Sequence, residues 1–169
     1  MDGAMDDEAM LPSWSRTYAD YRSRFVDAFK LPLSQNKTIV LEQRPNVSAE
    51  HAKESKHSAD GSCTASTVWD AGIVLATHVF HKSPAASSSG RLLDLGAGTG
   101  IVGLAAAASG RFRRVVLSDL PTVVPLLERN ASANAKATNG TTVDVLPLTW
   151  DDAKMLDRAA SSGPFDVIV

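Results

Sequence analysis

The sequence predicts an α/β fold built on a doubly wound, mostly parallel sheet. Apolar segments of strand length alternate with helical segments from Arg91 onward. A glycine-rich loop, Gly96-Ala97-Gly98-Thr99-Gly100, sits where a strand should hand over to a helix. The chain has 169 residues, 44% hydrophobic and 21% charged, which suits one domain with a buried core. That balance excludes a disordered tail and a membrane bundle.

Charge narrows the partners. Lys and Arg number 17 and Asp and Glu 19, for a net of −2. Residues 1–60 hold 8 basic and 10 acidic groups, and residues 61–169 hold 9 of each. No basic face emerges that would predict nucleic-acid binding. No run approaches the ~20 apolar residues of a spanning helix, so no membrane partner is expected. The first ten residues carry four acids and no basic side chain, the wrong charge for a signal or transit peptide. Cys63 is the single cysteine, which excludes an internal disulfide and suits a reducing compartment. A cytoplasmic location is expected, with nuclear entry compatible. Asn-x-Ser/Thr tripeptides at Asn36, Asn46, Asn130 and Asn139 are then chance matches.

In chain order, residues 1–12 read as an acidic leader. Trp14, Tyr18, Tyr21, Phe25 and Phe29 recur at spacings of four, three, four and four, which predicts an amphipathic helix over Ser13–Phe29. Leader and helix make a first segment, 1–35. Thr38–Gln43 predicts a short strand ended by Arg44-Pro45. A polar loop follows over 44–66, closing a second segment, 36–66. The third segment, 67–169, holds the main domain. Val68–His81 reads as a helix capped by Ser66 or Thr67, with Asp70 in its first turn. Ser83–Gly90 is a linker. Strands are predicted over Arg91–Leu95, Arg114–Ser118, Thr142–Leu146 and Phe165–Val169. Helices are predicted over Ile101–Ser109 with Gly110 as its stop, Thr122–Lys136 with Pro125 in the first turn, and Asp151–Ala160.

The glycine loop carries the chemistry. Alternate glycines permit a tight turn and let a ligand lie against bare backbone. The helix that follows offers N–H groups to an electron-rich partner. Gly98-x-Gly100-x-x-Gly103 also matches a dinucleotide fingerprint. That match sits two residues too deep, and Asp94 lies in the strand where an approaching pyrophosphate favours an apolar residue. An acid there suits a cationic ligand without phosphate, and S-adenosylmethionine (SAM) carries an ammonium and a sulfonium. Asp119 ends the next strand, 23 residues after Gly96, where an acid can accept both ribose hydroxyls. Its alternative role is to cap the helix near Thr122.

Four motifs together resemble the methyltransferase-like 21 group of protein-lysine methyltransferases. They are Val68-Trp69-Asp70-Ala71-Gly72, Leu93 through Leu104, Leu117-Ser118-Asp119-Leu120-Pro121 and Leu148-Thr149-Trp150. The resemblance runs over roughly residues 36–169. It implies a Rossmann-like class I methyltransferase fold, SAM as cofactor and a non-histone protein as substrate, such as a chaperone or elongation factor. It places Trp69 near the methionine end of SAM and sets the backbones of Gly96, Ala97 and Gly98 against the cofactor, with Thr99 and Gly100 as the remaining candidate cofactor-binding residues of the loop. Asp94 would answer its positive charge, Asp119 would hold the ribose, and Trp150 would cover the adenine. The alternative for both tryptophans is burial in the core.

The family pattern runs on past strand four with three further strands and a segment bordering the acceptor amine, so strands 3-2-1-4 alone are expected here. A chain limited to these is expected to be poorly soluble and inactive in isolation, with an apolar edge at Phe165–Val169. No catalytic nucleophile or acid–base residue is nominated within residues 1–169. Competing readings are a SAM enzyme for another acceptor, a nicotinamide oxidoreductase and a non-catalytic binding module. His78 and His81, His51, His57 and Cys63, and the Arg111-Arg113-Arg114 cluster read as surface features, and no metal site is expected.

Overall fold

The computed structural model describes Val26 and residues 28–44, 64–82, 90–138 and 140–169. The elements run β1 (Ala28–Ser34), β2 (Lys37–Glu42), a 3-10 turn (Thr64–Ser66), α1 (Asp70–Lys82), β3 (Arg91–Leu95), α2 (Ile101–Ser109), β4 (Arg114–Asp119), α3 (Val124–Ala133), β5 (Thr142–Pro147), α4 (Ala153–Ser161) and β6 (Val167–Ile168). β3 to β6 form one parallel sheet in the order β5-β4-β3-β6. This is the 3-2-1-4 order the family pattern implied for the first four strands.

Crossover helices cover both faces, as parallel strands require. On one face Leu92, Val115 and Leu117 pack with α2 and the β1–β2 hairpin. On the other, Leu93, Val116, Leu146 and Leu148 pack with Ala159 of α4. Helix α2 is buried from Ile101 to Ala108, and its alanines let neighbouring layers approach closely. Gly110 ends it in a left-handed conformation (φ 71°), as expected of a stop glycine. Asp152 caps α4 by accepting from the Lys154 and Met155 N–H groups.

Several boundaries shift. α1 starts at Asp70 rather than Val68, with the Trp69 carbonyl accepting from the Ile73 N–H, so Ser66 and Thr67 stand ahead of its cap position. α3 starts at Val124 rather than Thr122 and ends at Ala133, with Pro125 in its first turn. α4 starts two residues later than expected because Asp152 is its cap. The regular part of β6 shrinks to two residues, although Asp166 and Val169 N–H still donate to Arg91 and Leu93 carbonyls at 2.9 Å. Ile168 on this strand is 60% exposed, as an edge position implies.

The N-terminal reading needs correction. Ala28 and Phe29 lie in a strand, not at the end of a helix. β1 pairs antiparallel with β2 from Ala28↔Glu42 to Ser34↔Lys37, so this hairpin crosses the 35/36 division. A spacing of four is two strand periods and close to one helical turn, so Phe25 and Phe29 alone do not separate helix from strand. Leu31 and Leu33 are buried on alternate positions, the strand signature. Pro32 is tolerated because β1 is an edge strand with a register irregularity beside it. The remaining stripe residues and most of the polar loop lie outside the described residues, as does 83–89.

The hairpin is locked to the main domain by side chains. Its apolar face, Leu31, Leu33, Ile39 and Leu41, enters the same core as α2 and β4. Gln43, almost fully buried, accepts from the Val68 N–H at 2.7 Å and donates to the Val26 carbonyl at 3.0 Å. The Lys37 ammonium donates to the Ala108 carbonyl in the last turn of α2, where the helix dipole favours a cation. Glu42 binds Arg129 and Arg44, which together hold its carboxyl below the usual range.

Candidate functional site

Gly96, Gly98 and Gly100 all have left-handed φ values, of 70°, 57° and 84°. The loop therefore turns at every second residue and returns over the end of β4. The Gly96 and Ala97 N–H groups both donate to the Ser118 carbonyl at 2.9 Å. Ser118 in turn donates its hydroxyl to the Asp94 carbonyl at 2.9 Å, tying β3 to β4. A Cβ at Gly98 would lie 3.1 Å from the Ala65 carbonyl oxygen, so the 3-10 turn rests against this glycine. A Cβ at Gly96 would meet nothing within 4 Å, which leaves open space over its backbone.

Asp119 is the hinge of the site. Its Oδ2 accepts from the Gly98 N–H and its Oδ1 from the Leu120 N–H, each at 2.7 Å. Burial raises its pKa, and these two backbone bonds work against that rise. It does not cap α3, whose N-cap is Val123 without a side-chain bond. Asp119 lines a cleft of about 380 Å³ with Gly96, Leu120, Leu148, Thr149, Trp150 and Asp151. The cleft lies at the carboxyl ends of the strands, where open α/β sheets bind their ligands. Trp150 is 71% exposed beside it, so the core-tryptophan alternative fails.

Trp69 is also exposed, at 47%, and its indole N–H donates to the Thr64 carbonyl at 2.8 Å. It does not line the cleft. The Thr64–Ser66 turn that anchors it is the one resting on Gly98, so Trp69 belongs to the neighbourhood of the loop. Ala97, Thr99 and Gly100 are buried within the loop rather than facing the cleft.

Asp94 is turned away from the cleft. Side chains alternate along a strand, so Asp94 shares the α2-facing side with Leu92. Its Oδ2 accepts from the Gly103 N–H at 2.8 Å, in the first turn of α2. Gly100, the N-cap, offers no side chain, so the carboxylate of the preceding strand does the capping. Gly103 is needed for the contact: a Cβ there would lie 2.1 Å from Leu117 Cδ2 and 3.0 Å from Asp94 Oδ2. Helix–strand packing of this kind is also what a dinucleotide fingerprint requires, so glycine register alone does not exclude that ligand class.

Burial first, then the nearby Asp119 charge, push the Asp94 pKa from 3.8 to about 7 against the Gly103 hydrogen bond. The two carboxyls are therefore close, though Asp119 is the one of the two that lines the cleft. Between these pH values the folded state holds a proton that the unfolded chain has released, so stability falls as pH rises. Each pH unit in that window removes up to ~1.4 kcal/mol. Asp94→Asn keeps an acceptor for Gly103 and is expected to flatten this decline. Urea unfolding from pH 4 to 8 checks it: superimposable profiles for variant and wild type would contradict the assignment.

The sequence model of the family described as "Lysine methyltransferase" matches residues 50–169. The chain belongs to the lysine methyltransferase family. Relatives include the calmodulin-lysine N-methyltransferase of Arabidopsis thaliana, 36% identical over 80 residues, covering 47% of this chain and 25% of that protein. EEF1A lysine methyltransferase 3 of Xenopus tropicalis is 32% identical over 100 residues, 59% of this chain and 43% of its own. Protein N-lysine methyltransferase METTL21A of Danio rerio is 35% identical over 89 residues, 52% of this chain and 39% of its own. The chain thus spans between a quarter and under a half of these relatives' lengths. The methyltransferase-like 21 resemblance stands. Among the described residues no helix is long and apolar enough to cross a membrane.

Beside the expected cleft residues, the lysine methyltransferase fold brings in Leu120, Leu148, Thr149 and Asp151, which the motif reading did not assign to the site. Each follows the carboxyl end of a parallel strand, and that position was the available signal. His78 and His81 are exposed on α1. Among the described residues no three His, Cys, Asp or Glu side chains gather into a metal-sized group.

Proposed function

We propose that this chain binds SAM in the cleft beside Asp119 and that the protein methylates a lysine of a non-histone protein. The observation that carries the reading is the Asp119 carboxylate, fixed by two backbone N–H bonds at the edge of a mostly apolar cleft under Trp150. That set fits a nucleoside: a paired acceptor for a ribose diol, an aromatic face for a base and bare backbone at Gly96. When bound, SAM supplies a methyl group already activated on a sulfonium.

The chain's own residues then bind and orient. Asp119 accepts the ribose hydroxyls. Trp150, Leu120 and Leu148 flank the base. Gly96, Ala97, Gly98, Thr99 and Gly100 shape the turn that receives the methionine end, with Trp69 and the Thr64–Ser66 turn behind it. The Gly96 and Ala97 N–H groups are committed to Ser118, so Gly96 contributes bare surface rather than a donor and Ala97 holds the turn from within. Asp94 acts from beneath the loop, through the Gly103 N–H that it holds at the start of α2. Positioning and exclusion of water are the chain's contribution to the transfer. A lysine amine attacks only when neutral, and its free pKa is ~10.4, so burial in the acceptor pocket must lower it.

A protein substrate is supported by the relatives' names. Calmodulin and EEF1A, named for those relatives, are the first candidates. Incubation of the protein with labelled SAM and each candidate, followed by peptide mass spectrometry, tests the acceptor. Label on lysine supports the reading; label confined to another side chain or to nucleic acid overturns it. Trp150→Ala should leave stability within ~0.5 kcal/mol, because the side chain is exposed. Loss of its stacking, worth ~0.5–1.5 kcal/mol, should weaken S-adenosylhomocysteine binding up to about tenfold. Calorimetry with unchanged affinity would remove Trp150 from the site.

A further inference from the structure

We propose that Asn130 is a positioning residue that couples the β1–β2 hairpin to the glycine loop and so sets the loop for its ligand. The inference rests on the SAM reading for what the loop binds, but the coupling is visible without it. Asn130, on α3, is 1% exposed and uses all of its amide. Its Oδ1 accepts from the Glu42 N–H at 2.7 Å. Its Nδ2 donates to the Glu42 carbonyl at 3.2 Å and to the Thr99 carbonyl at 2.9 Å. Glu42 is on β2, and Thr99 lies between the left-handed Gly98 and Gly100.

A neighbour isolates what Asn130 does. One turn later Asn134, also buried, accepts from the Val40 N–H at 2.8 Å and donates to the Val40 carbonyl at 2.7 Å. Four helical residues rise ~6 Å and two strand residues ~6.7 Å, so asparagines at i and i+4 match alternate residues of a strand edge. The two side chains therefore act as a substitute strand along β2. Asn134 does only this and bonds the Asn130 carbonyl within α3. Asn130 alone of the pair extends to the glycine loop.

The Thr99 carbonyl fixes the peptide between two glycines from the side of α3, where the Gly98 bond to Asp119 and the Gly100 bond to Ala97 do not reach. A buried amide with two donors facing two carbonyls and its oxygen facing an N–H cannot flip without setting like against like. An aspartate at 130 keeps the acceptor for Glu42 but turns an oxygen toward both carbonyls. Aspartate at 134 makes the same chemical change without touching the loop, so it reports the cost of loosening the hairpin.

The test compares Asn130→Asp, Asn134→Asp and wild type by hydrogen exchange and by S-adenosylhomocysteine calorimetry on the intact protein. Without ligand, Asn130→Asp should speed amide exchange in residues 98–100 at least about tenfold, while Asn134→Asp speeds it in 38–42 and leaves the loop unchanged. Affinity should fall about tenfold or more for Asn130→Asp and stay within about twofold for Asn134→Asp. Equal loop exchange in both variants, or equal affinity loss, overturns the coupling. The expected exchange pattern in the variants, with a wild type that binds no S-adenosylhomocysteine, overturns the SAM reading and leaves the coupling supported. Should Asn130→Asp fail to fold, Asn130→Ser, which retains one short donor and acceptor, takes its place under the same criteria.

Discussion

Asp119→Asn is expected to weaken S-adenosylhomocysteine binding at least ~100-fold, the largest binding effect predicted for this chain. Both carboxylate oxygens are already occupied on one side, by the Gly98 and Leu120 N–H groups. Their remaining lone pairs are what a ribose diol would meet. An asparagine has one acceptor atom, so its NH2 must face one of those backbone donors. Hydrogen bonds to a charged group are worth ~1.5–3 kcal/mol each, and the substitution removes charge from both. The loop is damaged as well, because Gly98 loses its partner or Leu120 does. Calorimetry on wild type and variant decides it, with circular dichroism to show that the variant is folded. A folded Asp119→Asn protein that binds within about threefold of wild type would exclude Asp119 from the ligand site.

The largest stability effect is expected at Gly103. Within a helix, alanine is favoured over glycine by ~1 kcal/mol, so propensity alone predicts a gain. Packing opposes it. The added Cβ would lie 2.1 Å from Leu117 Cδ2 and 3.3 Å from Asp94 Cβ, and Leu117 is fully buried in β4. Overpacking a filled core costs ~1–3 kcal/mol, and here it also displaces the carboxylate that caps α2. The account predicts a net loss of ~2 kcal/mol, a Tm lower by ~4–8 °C for a domain of this size. Gly72→Ala is the control. It sits on α1 with its nearest new contact at 3.1 Å from Ile101 Cγ2, so gain and strain nearly cancel. If thermal unfolding shows Gly103→Ala as stable as Gly72→Ala, the close α2–β4 contact is not as described.

Much of this was legible because it is local. The four parallel strands are short apolar runs bounded by turn residues, and Gly96 to Gly100 stand between a strand and a helix whatever the fold around them. Asp119 at a strand end pointed to the cleft in the same way. Asp94 was half legible. An acid amid leucines had to be buried and partnered, but its parity with Leu92 sends it beneath α2, where the Gly103 N–H is its partner. Residue type alone did not reveal the exposure of Trp69 and Trp150, since tryptophan is common both in cores and at binding surfaces; for Trp150 the signal was its place just after a parallel strand.

The hairpin was hidden by arithmetic, because aromatic spacings of four fit both periods. The asparagine clasp was hidden by distance: Asn130 and Glu42 are 88 positions apart, and a buried asparagine is indistinguishable from a surface one in a list of residues. Asn130 had drawn notice as part of an Asn-x-Ser tripeptide, and its burial removes it as a glycan acceptor.

The most direct measurement of the central claim is a pair of titrations of the wild-type protein, one with S-adenosylhomocysteine and one with NAD, followed calorimetrically under the same conditions. The account predicts saturable binding of the first, competed by SAM, and no heat from the second. Saturable NAD binding without any response to S-adenosylhomocysteine would contradict it, as would a folded protein that answers to neither.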